Sequence, residues 1–253
     1  MKKILIKAAK EAGKLLLDNF QTEKAQTVLE QKNPFDYSTL MDKIAEDKIL
    51  EILKENGIQG KVVTEEAGIV NLGDSDYTFF IDPLDGTINY SYGIPMFCTS
   101  IGVKKGNERA FGVVYYPDKD ELFFAEKGKG SFLNDKKLQV SNKSDLANSS
   151  FEFGMIRNEL NHGLETFKKL IQVTRLRNSW CAALATSFIA CRRVDGVFFR
   201  GQKSWDMMAA CLIVEEAGGV VTDFNGKKWD ENSESTVAAN PILHEKIMNL
   251  LRN

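Results

Sequence analysis

Histidine is scarce in this chain: only two, His162 and His244, occur among 253 residues. A zinc centre built on imidazoles is therefore not expected, and any bound metal must rely on oxygen ligands. Cysteine is sparse as well. Cys98, Cys181, Cys191 and Cys211 are scattered through apolar neighbourhoods with no Cys-x-x-Cys pair, so they read as buried free thiols in a reducing cytosol. Neither sign of charge is in excess. Lys and Arg number 33 against 35 Asp and Glu, a formal net charge of -2, which argues against a broad footprint for nucleic acid or acidic membrane. Long apolar runs are missing too. The opening Met1-Lys2-Lys3-Ile4-Leu5-Ile6 imitates a secretory leader, but Lys7, Lys10 and Glu11 interrupt it, and no later run is long enough to span a bilayer. A cytoplasmic protein is expected, without a membrane or nucleic-acid partner.

What is present fits a globular protein of one large domain or two smaller ones, with 43% hydrophobic and 27% charged residues. Leu5, Ala8, Ala12, Leu15, Leu16 and Phe20 form a helical stripe near the start. The polar segment Gln21 to Lys32 carries no clear period. A second helix begins near Asp42, is apolar at Ile44, Ile49, Ile52 and Leu53, and stops at Gly57. Lys61–Thr64 and Tyr77–Ile81 read as strands. Phe97–Val103, Phe111–Tyr115 and Glu121–Ala125, separated by turn residues, read as an antiparallel meander. Polar composition around Ser141 to Ser150 suggests a soft boundary, hence parts 1–145 and 146–253. Beyond it, helical patterns at Leu164–Val173, Ala182–Arg193, Met207–Ala217 and Ile242–Leu251 alternate with strands near Val197–Phe199, Val220–Thr222 and Thr236–Ala239. Asn240-Pro241 offers a cap and a first-turn proline to the last helix.

The central stretch is Asp82-Pro83-Leu84-Asp85-Gly86-Thr87-Ile88-Asn89. It ends the Tyr77 strand with two carboxylates, a glycine and a threonine. If Gly86-Thr87 opens a helical turn, its N–H groups face an anion beside oxygen ligands for a hard cation such as Mg²⁺. A plain polar turn is the other reading. Glu65 at a strand end, Asp42 at a helix front and Asp206 ahead of Met207-Met208-Ala209-Ala210 are candidate partners. Taken singly, each also suits a cap or a solvated turn.

Taken together these residues resemble the inositol monophosphatase family of magnesium-dependent, lithium-sensitive phosphatases. The likeness is carried by Asp36 and Asp42, by Glu65-Glu66, by Asp82 to Tyr90, by Trp205 to Ala210 and by Glu216-Ala217-Gly218-Gly219. Gly112 to Pro117 and Gly128 to Asn134 extend it, so nearly the whole chain is covered. The resemblance implies a layered α-β-α-β-α sugar-phosphatase sandwich, of α/β (α+β) class, and a homodimer. It further implies that Glu65, Asp82 and the Leu84 carbonyl hold one Mg²⁺, and that Asp82, Asp85 and Asp206 hold a second. Thr87, supported by Asp42, and Glu65 would orient the attacking water. Gly86 and Thr87 N–H groups would hold a phosphate oxygen, while Ala182 and Asp206 would border the substrate. Two rival motifs fail on spacing: a haloacid-dehalogenase-type Asp-x-Asp-Gly-Thr and an EF-hand loop both need the second carboxylate one residue nearer.

The expected function is hydrolysis of a small phosphorylated metabolite, inositol 1-phosphate-like by default. Fructose 1,6-bisphosphate, a 3′-phosphoadenosine nucleotide and histidinol phosphate are the alternatives. A regulatory binding protein on the same fold is the reading from another class, since bacterial relatives include partners of the transcription machinery. Trp180-Cys181 replaces the family's usual small pair before Ala-Ala-Leu. Trp180 is expected either to fill the polyol pocket or to turn into the core or an interface. Arg200 and Lys203 are read as surface charges or as ligands of a second phosphate.

Overall fold

The nearly unbroken apolar runs of several strands follow from their position between two layers of helices in the computed structural model, which describes residues 1–154 and 160–252. The first half contains α1 (Lys2–Asp18), the short α2 (Glu23–Gln26), a hairpin of β1 (Val28–Asn33) and β2 (Asp36–Thr39), and α3 (Leu40–Glu55). There follow β3 (Lys61–Thr64), β4 (Gly68–Asn71), β5 (Tyr77–Asp85) and the brief α4 (Thr87–Ser91). The meander is β6 (Cys98–Lys105), β7 (Glu108–Tyr116), β8 (Glu121–Glu126), β9 (Gly130–Leu133) and β10 (Lys136–Lys137). The second half runs β11 (Ser150–Gly154), α5 (Leu160–Ile171), β12 (Arg175–Arg177), α6 (Ala182–Ala190), β13 (Gly196–Arg200) and α7 (Ser204–Glu216). It closes with β14 (Val220–Thr222), β15 (Ser235–Ala239) and α8 (Pro241–Arg252).

Eight strands form the larger sheet, in the order β10-β9-β8-β7-β6-β5-β3-β4. Its pairs are antiparallel except β3 with β5. The smaller sheet runs β12-β11-β13-β15-β14. Side chains alternate between two cores, as the two-residue period of a strand demands. Phe79, Ile81, Val113, Tyr115, Leu122 and Phe124 face α1 and α3. Phe80, Val114, Tyr116, Phe123 and Ala125 face α6 and α7. Both faces are covered, so neither can be polar. The helices α6 and α7 also lie against β13, β14 and β15 of the smaller sheet. On its other face, Phe151, Phe198 and Val237 pack with Leu170 of α5 and Leu243, Ile247 and Met248 of α8. The result is the expected five-layer α-β-α-β-α arrangement. Among the described residues no helix is long and apolar enough to cross a membrane.

The central helix α7 approaches the large sheet where two strands lack side chains. A Cβ at Gly102 would stand 2.5 Å from Met208 Cγ, and one at Gly112 would stand 2.5 Å from the Ala209 carbonyl oxygen. These two glycines set the depth of α7, and with it the height of Asp206 in its first turn.

Several elements depart from expectation. The segment from Gln21 to Lys32, without a period in the sequence, holds α2 and most of β1, and β2 occupies the lead-in to α3. Also unforeseen are β4, the last two strands of the meander, β9 and β10, and β11 and β12. Six of these seven missed strands have five residues or fewer, and β1, β4 and β12 are largely exposed, so they lack the apolar alternation that marks a strand. The helix α6 ends at Ala190 rather than Arg193. Cys98, Cys181 and Cys211 are buried free thiols as expected, whereas Cys191 is only half-buried. Asn240 caps α8 through its side-chain oxygen, which accepts the Leu243 N–H at 2.9 Å.

The glycine at 112 supplies the first test. Gly112→Ala forces its methyl against the backbone of α7, and overpacking of this kind costs about 1–3 kcal/mol. Denaturant unfolding should show a loss of that size; a variant as stable as the parent would mean that α7 is free to move outward.

Candidate functional site

At the end of β5 the pairing with β6 slips. Asp82 lies opposite Ser100 and Asp85 opposite Cys98, so one extra residue is accommodated on β5. Pro83, which has no N–H to give a ladder, sits in this bulge. In a regular strand, residues three apart point to opposite faces. The bulge cancels that alternation and lets Asp82 and Asp85 share one acidic cluster. The chain then turns at Gly86, whose φ is +90°. A Cβ there would lie 2.7 Å from the Met96 carbonyl oxygen, so no larger residue fits. Gly86 and Thr87 open α4, which leaves their N–H groups outside the intrahelical ladder.

Each acidic side chain is held in place by backbone. The Leu84 N–H donates to Asp82 Oδ1 at 3.1 Å. Asp85 receives the N–H of Ala182 at 3.0 Å on Oδ1 and that of Ala183 at 2.7 Å on Oδ2. The Asp85 carboxylate thus caps α6, whose own N-terminal residue, Cys181, provides no side-chain cap. Asp206, in the first turn of α7, accepts the Lys203 N–H at 2.7 Å. Asp42 does the same for α3, accepting the Thr39 N–H at 2.7 Å on Oδ2. Its other oxygen accepts the Thr87 hydroxyl proton at 2.7 Å. Thr87 Oγ1 also lies 3.0 Å from the Leu84 carbonyl, so that proton is held away from the cluster and the oxygen lone pairs are left to accept.

The fifth carboxylate arrives differently. Glu65 follows β3, and Lys32 of β1 reaches it at 2.6 Å and Glu66 at 2.7 Å. The turn itself hangs on Glu46, fully buried on α3, which accepts from the Thr64 hydroxyl at 2.6 Å and the Glu66 N–H at 3.0 Å. Neither Lys32 nor Glu46 was singled out in the sequence. Lys32 lies in the segment with no period, where a lysine carries no signal. Glu46 did leave one: it shares the helical face of Met41, Ala45 and Ile49, where an acid needs a partner.

Burial raises these carboxyls, and their mutual repulsion raises them further. Asp82 is pushed well above the usual carboxylate range by burial first, then by Glu65, Asp85, Asp206 and Asp42. Asp206 is raised well above that range too, by burial, Glu65 and Asp85, against a small pull from Lys203. Burial lifts Glu65 despite Lys32, and lifts Asp85 despite the Cys181 thiol and the N–H groups of α6. Asp42 is raised to about 7, again chiefly by burial. Desolvated negative charge in oxygen donors fits a hard divalent cation. The site residues from β3, β5, α3 and α7 are therefore brought together, with Thr87 among them.

The substrate side differs in part from expectation. Ala182 enters the cluster through the N–H it gives to Asp85. Trp180 does not turn into the core: it is 57% exposed, with its backbone in the left-handed region at φ +56°. Asn89 fixes that turn by donating to the carbonyls of Met96 and Ser179, both at 2.8 Å. Arg200 stands over the Phe224 ring at 5.9 Å, whereas Lys203 leads into α7 beside Asp206.

Comparison with known proteins gives a consistent picture. A family model described as "Inositol monophosphatase family" matches residues 1–253. A Nus factor SuhB from Pasteurella multocida is 38% identical over 100% of this chain and 96% of its own. An inositol-1-monophosphatase from Mesorhizobium japonicum is 33% identical over 98% of this chain and 95% of its own. Among solved structures, the extragenic suppressor protein suhB from Bartonella henselae superposes with a TM-score of 0.93, at 31% identity, covering 100% of this chain and 98% of that one.

The raised carboxyls make a pH dependence for protein stripped of divalent ions. The fold favours the protonated form of Asp42, so this group's contribution to stability is fully present below its ordinary value of 3.8 and is lost as pH rises through about 7. The other four carboxyls shift in the same direction. The melting temperature of chelated protein should therefore fall between about pH 4 and about pH 7, and less steeply in Asp82→Asn. A flat profile would mean that these groups are better solvated than their burial indicates.

Proposed function

Since this chain belongs to the inositol monophosphatase family, we propose that it hydrolyses a small phosphomonoester with Mg²⁺ and is inhibited by Li⁺. The observation that carries this reading is the convergence of Glu65, Asp82, Asp85 and Asp206 on the Asp42–Thr87 hydrogen bond. Glu65, Asp82 and the Leu84 carbonyl suit one Mg²⁺, and Asp82, Asp85 and Asp206 suit another. Bound there, the ions supply Lewis-acid activation of water and offset charge on the leaving oxygen. The chain's own groups do the rest. Thr87, its hydroxyl proton committed to Asp42, presents a lone pair to a hydrogen of the attacking water. Glu65 is positioned to hold the other, with Lys32 favouring its charged form. Gly86 and Thr87 N–H groups receive a phosphate oxygen at the start of α4. The α6 N–H groups fix the angle of Asp85, which keeps that carboxylate from rotating away.

Inositol 1-phosphate is the default substrate, with fructose 1,6-bisphosphate, a 3′-phosphoadenosine nucleotide and histidinol phosphate as alternatives. Trp180 decides among them in this reading, because it is exposed in the turn that leads into α6, just ahead of the Ala182 N–H that bonds Asp85. Relatives named Nus factors favour a second role, which would not need hydrolysis. A homodimer belongs to the same family-based reading and is read directly from the mass in solution.

Phosphate release over a panel of phosphorylated polyols, sugars and nucleotides, with Mg²⁺, without it and with added Li⁺, tests the proposal. Activity should require Mg²⁺. Asp85→Asn should lose about two orders of magnitude or more in kcat in a protein that still folds and melts cooperatively, the scale on which removal of a charge-stabilising group acts. Release that persists without divalent ions, or in Asp85→Asn, would remove the metal assignment. No release from any substrate would favour the Nus-type role.

Specificity is tested separately. Trp180→Gly with Cys181→Ser should raise kcat/KM for inositol 1-phosphate relative to the best substrate of the panel, by a factor matching about 1–3 kcal/mol of pocket shape. An unchanged ratio would place Trp180 outside the pocket.

A further inference from the structure

Two thiols meet the Asp85 carboxylate from separate elements. Cys98 opens β6 and Cys181 leads into α6. The Cys181 sulfur lies 3.1 Å from Asp85 Oδ2, the Cys98 sulfur 3.6 Å from the same oxygen, and the two sulfurs are 3.9 Å apart. A tetrahedral zinc ion, with Zn–S bonds of about 2.3 Å and Zn–O bonds of about 2.0–2.2 Å, sets its sulfurs about 3.8 Å apart and each sulfur about 3.5 Å from the oxygen. Two edges of the observed triangle, 3.9 and 3.6 Å, already match, and the third, 3.1 Å, has to open by about 0.4 Å. Its corners are fixed independently, by the pairing of β6, by the start of α6, and by the two N–H groups that clamp Asp85.

The ordinary explanation is that buried cysteines are small apolar fillers and weak donors. It accounts for each thiol alone. It does not account for two of them aimed at one carboxylate oxygen that already accepts the Ala183 N–H at 2.7 Å. Nor does Mg²⁺ explain them, since hard cations do not select sulfur.

We propose that Asp85, Cys98 and Cys181 form a site for a thiophilic divalent cation, Zn²⁺ or Cd²⁺, and that filling it stops hydrolysis. One bond forms from the ion to each sulfur and one to the carboxylate. Both S–H bonds break, two protons pass to the solvent, and nothing is oxidised. Three protein ligands leave one tetrahedral position for water or a substrate oxygen. The binding site stands on these residues alone. The inhibition rests on the function proposed above, because the ion would take Asp85 away from the oxygen-ligated Mg²⁺ set.

The test uses full-length protein in a non-thiol reductant, which keeps Cys98 and Cys181 from oxidising to a disulfide, with saturating Mg²⁺ throughout. Titration with Cd²⁺ is followed by the ultraviolet sulfur-to-cadmium charge-transfer absorption. The expected result is saturation at one ion per chain, with the band lost in Cys98→Ala and in Cys181→Ala and kept in Cys191→Ala. Cys98→Ser provides a second variant of similar size, and melting curves confirm that each is folded. Phosphate release is measured alongside, each variant against its own rate without Cd²⁺. The concentration for half-inhibition should rise at least ten-fold in Cys98→Ala. A band that survives both Cys98 variants, or no band in the parent, overturns the site. A band with the expected variant pattern but no inhibition overturns the inhibitory half and, with it, the role of Asp85 as a Mg²⁺ ligand. Loss of phosphate release in Asp85→Asn, measured without Cd²⁺, keeps failure of the proposed function distinct from failure of the thiol site.

Discussion

The structure depends on burying several carboxylates close together, an arrangement that repulsion and desolvation both oppose. Three of the five are set in the first turn or at the entrance of a helix: Asp42 in α3, Asp206 in α7, and Asp85 ahead of α6. A helix N-terminus carries partial positive charge and unpaired N–H groups, so each acid is stabilised where it must stay. The helices also bring the cluster together, because α3 lies on one face of the large sheet while α6 and α7 lie on the other. The end of β5 is where they can all be reached.

Every unusual backbone feature around the cluster serves that convergence. The bulge at Pro83 turns two aspartates toward one place. Gly86 allows a reversal that would drive any Cβ into the Met96 carbonyl. Gly102 and Gly112 let α7 sit deep enough for Asp206 to join from the other half of the chain. Glu46 and Lys32 complete the set by holding the turn that carries Glu65. What remains without compensation is negative charge, and this is why the site is suited to cations rather than to a neutral ligand.

Asp85 stands where two kinds of donor meet. Toward Asp82 and Asp206 its neighbours are oxygens; toward Cys98 and Cys181 they are sulfurs. Ligand softness then separates the cations that each side selects, although one carboxylate belongs to both.

The sequence by itself identified the family, and the resemblance implied the layered fold, because the motifs that carry it are local: a strand ending in Asp-Pro-Leu-Asp-Gly-Thr and a helix opening with Trp-Asp. It also showed Asn240-Pro241 as a helix start, for the same reason. The exposed strands β1, β4 and β12 escaped it because their residues answer to hydrogen-bonding neighbours and to no apolar face. Only the tertiary structure decided how the acids are supported. Lys32 and Glu46 act across 33 and 18 residues of sequence, on Glu65 and Thr64, and no spacing rule joins such pairs. It also decided that Trp180 faces outward, through a left-handed turn tied down by Asn89, and that Cys98 and Cys181 meet. Those contacts arise where β5, β6 and α6 are packed together, and packing of distant segments is a property of the whole fold.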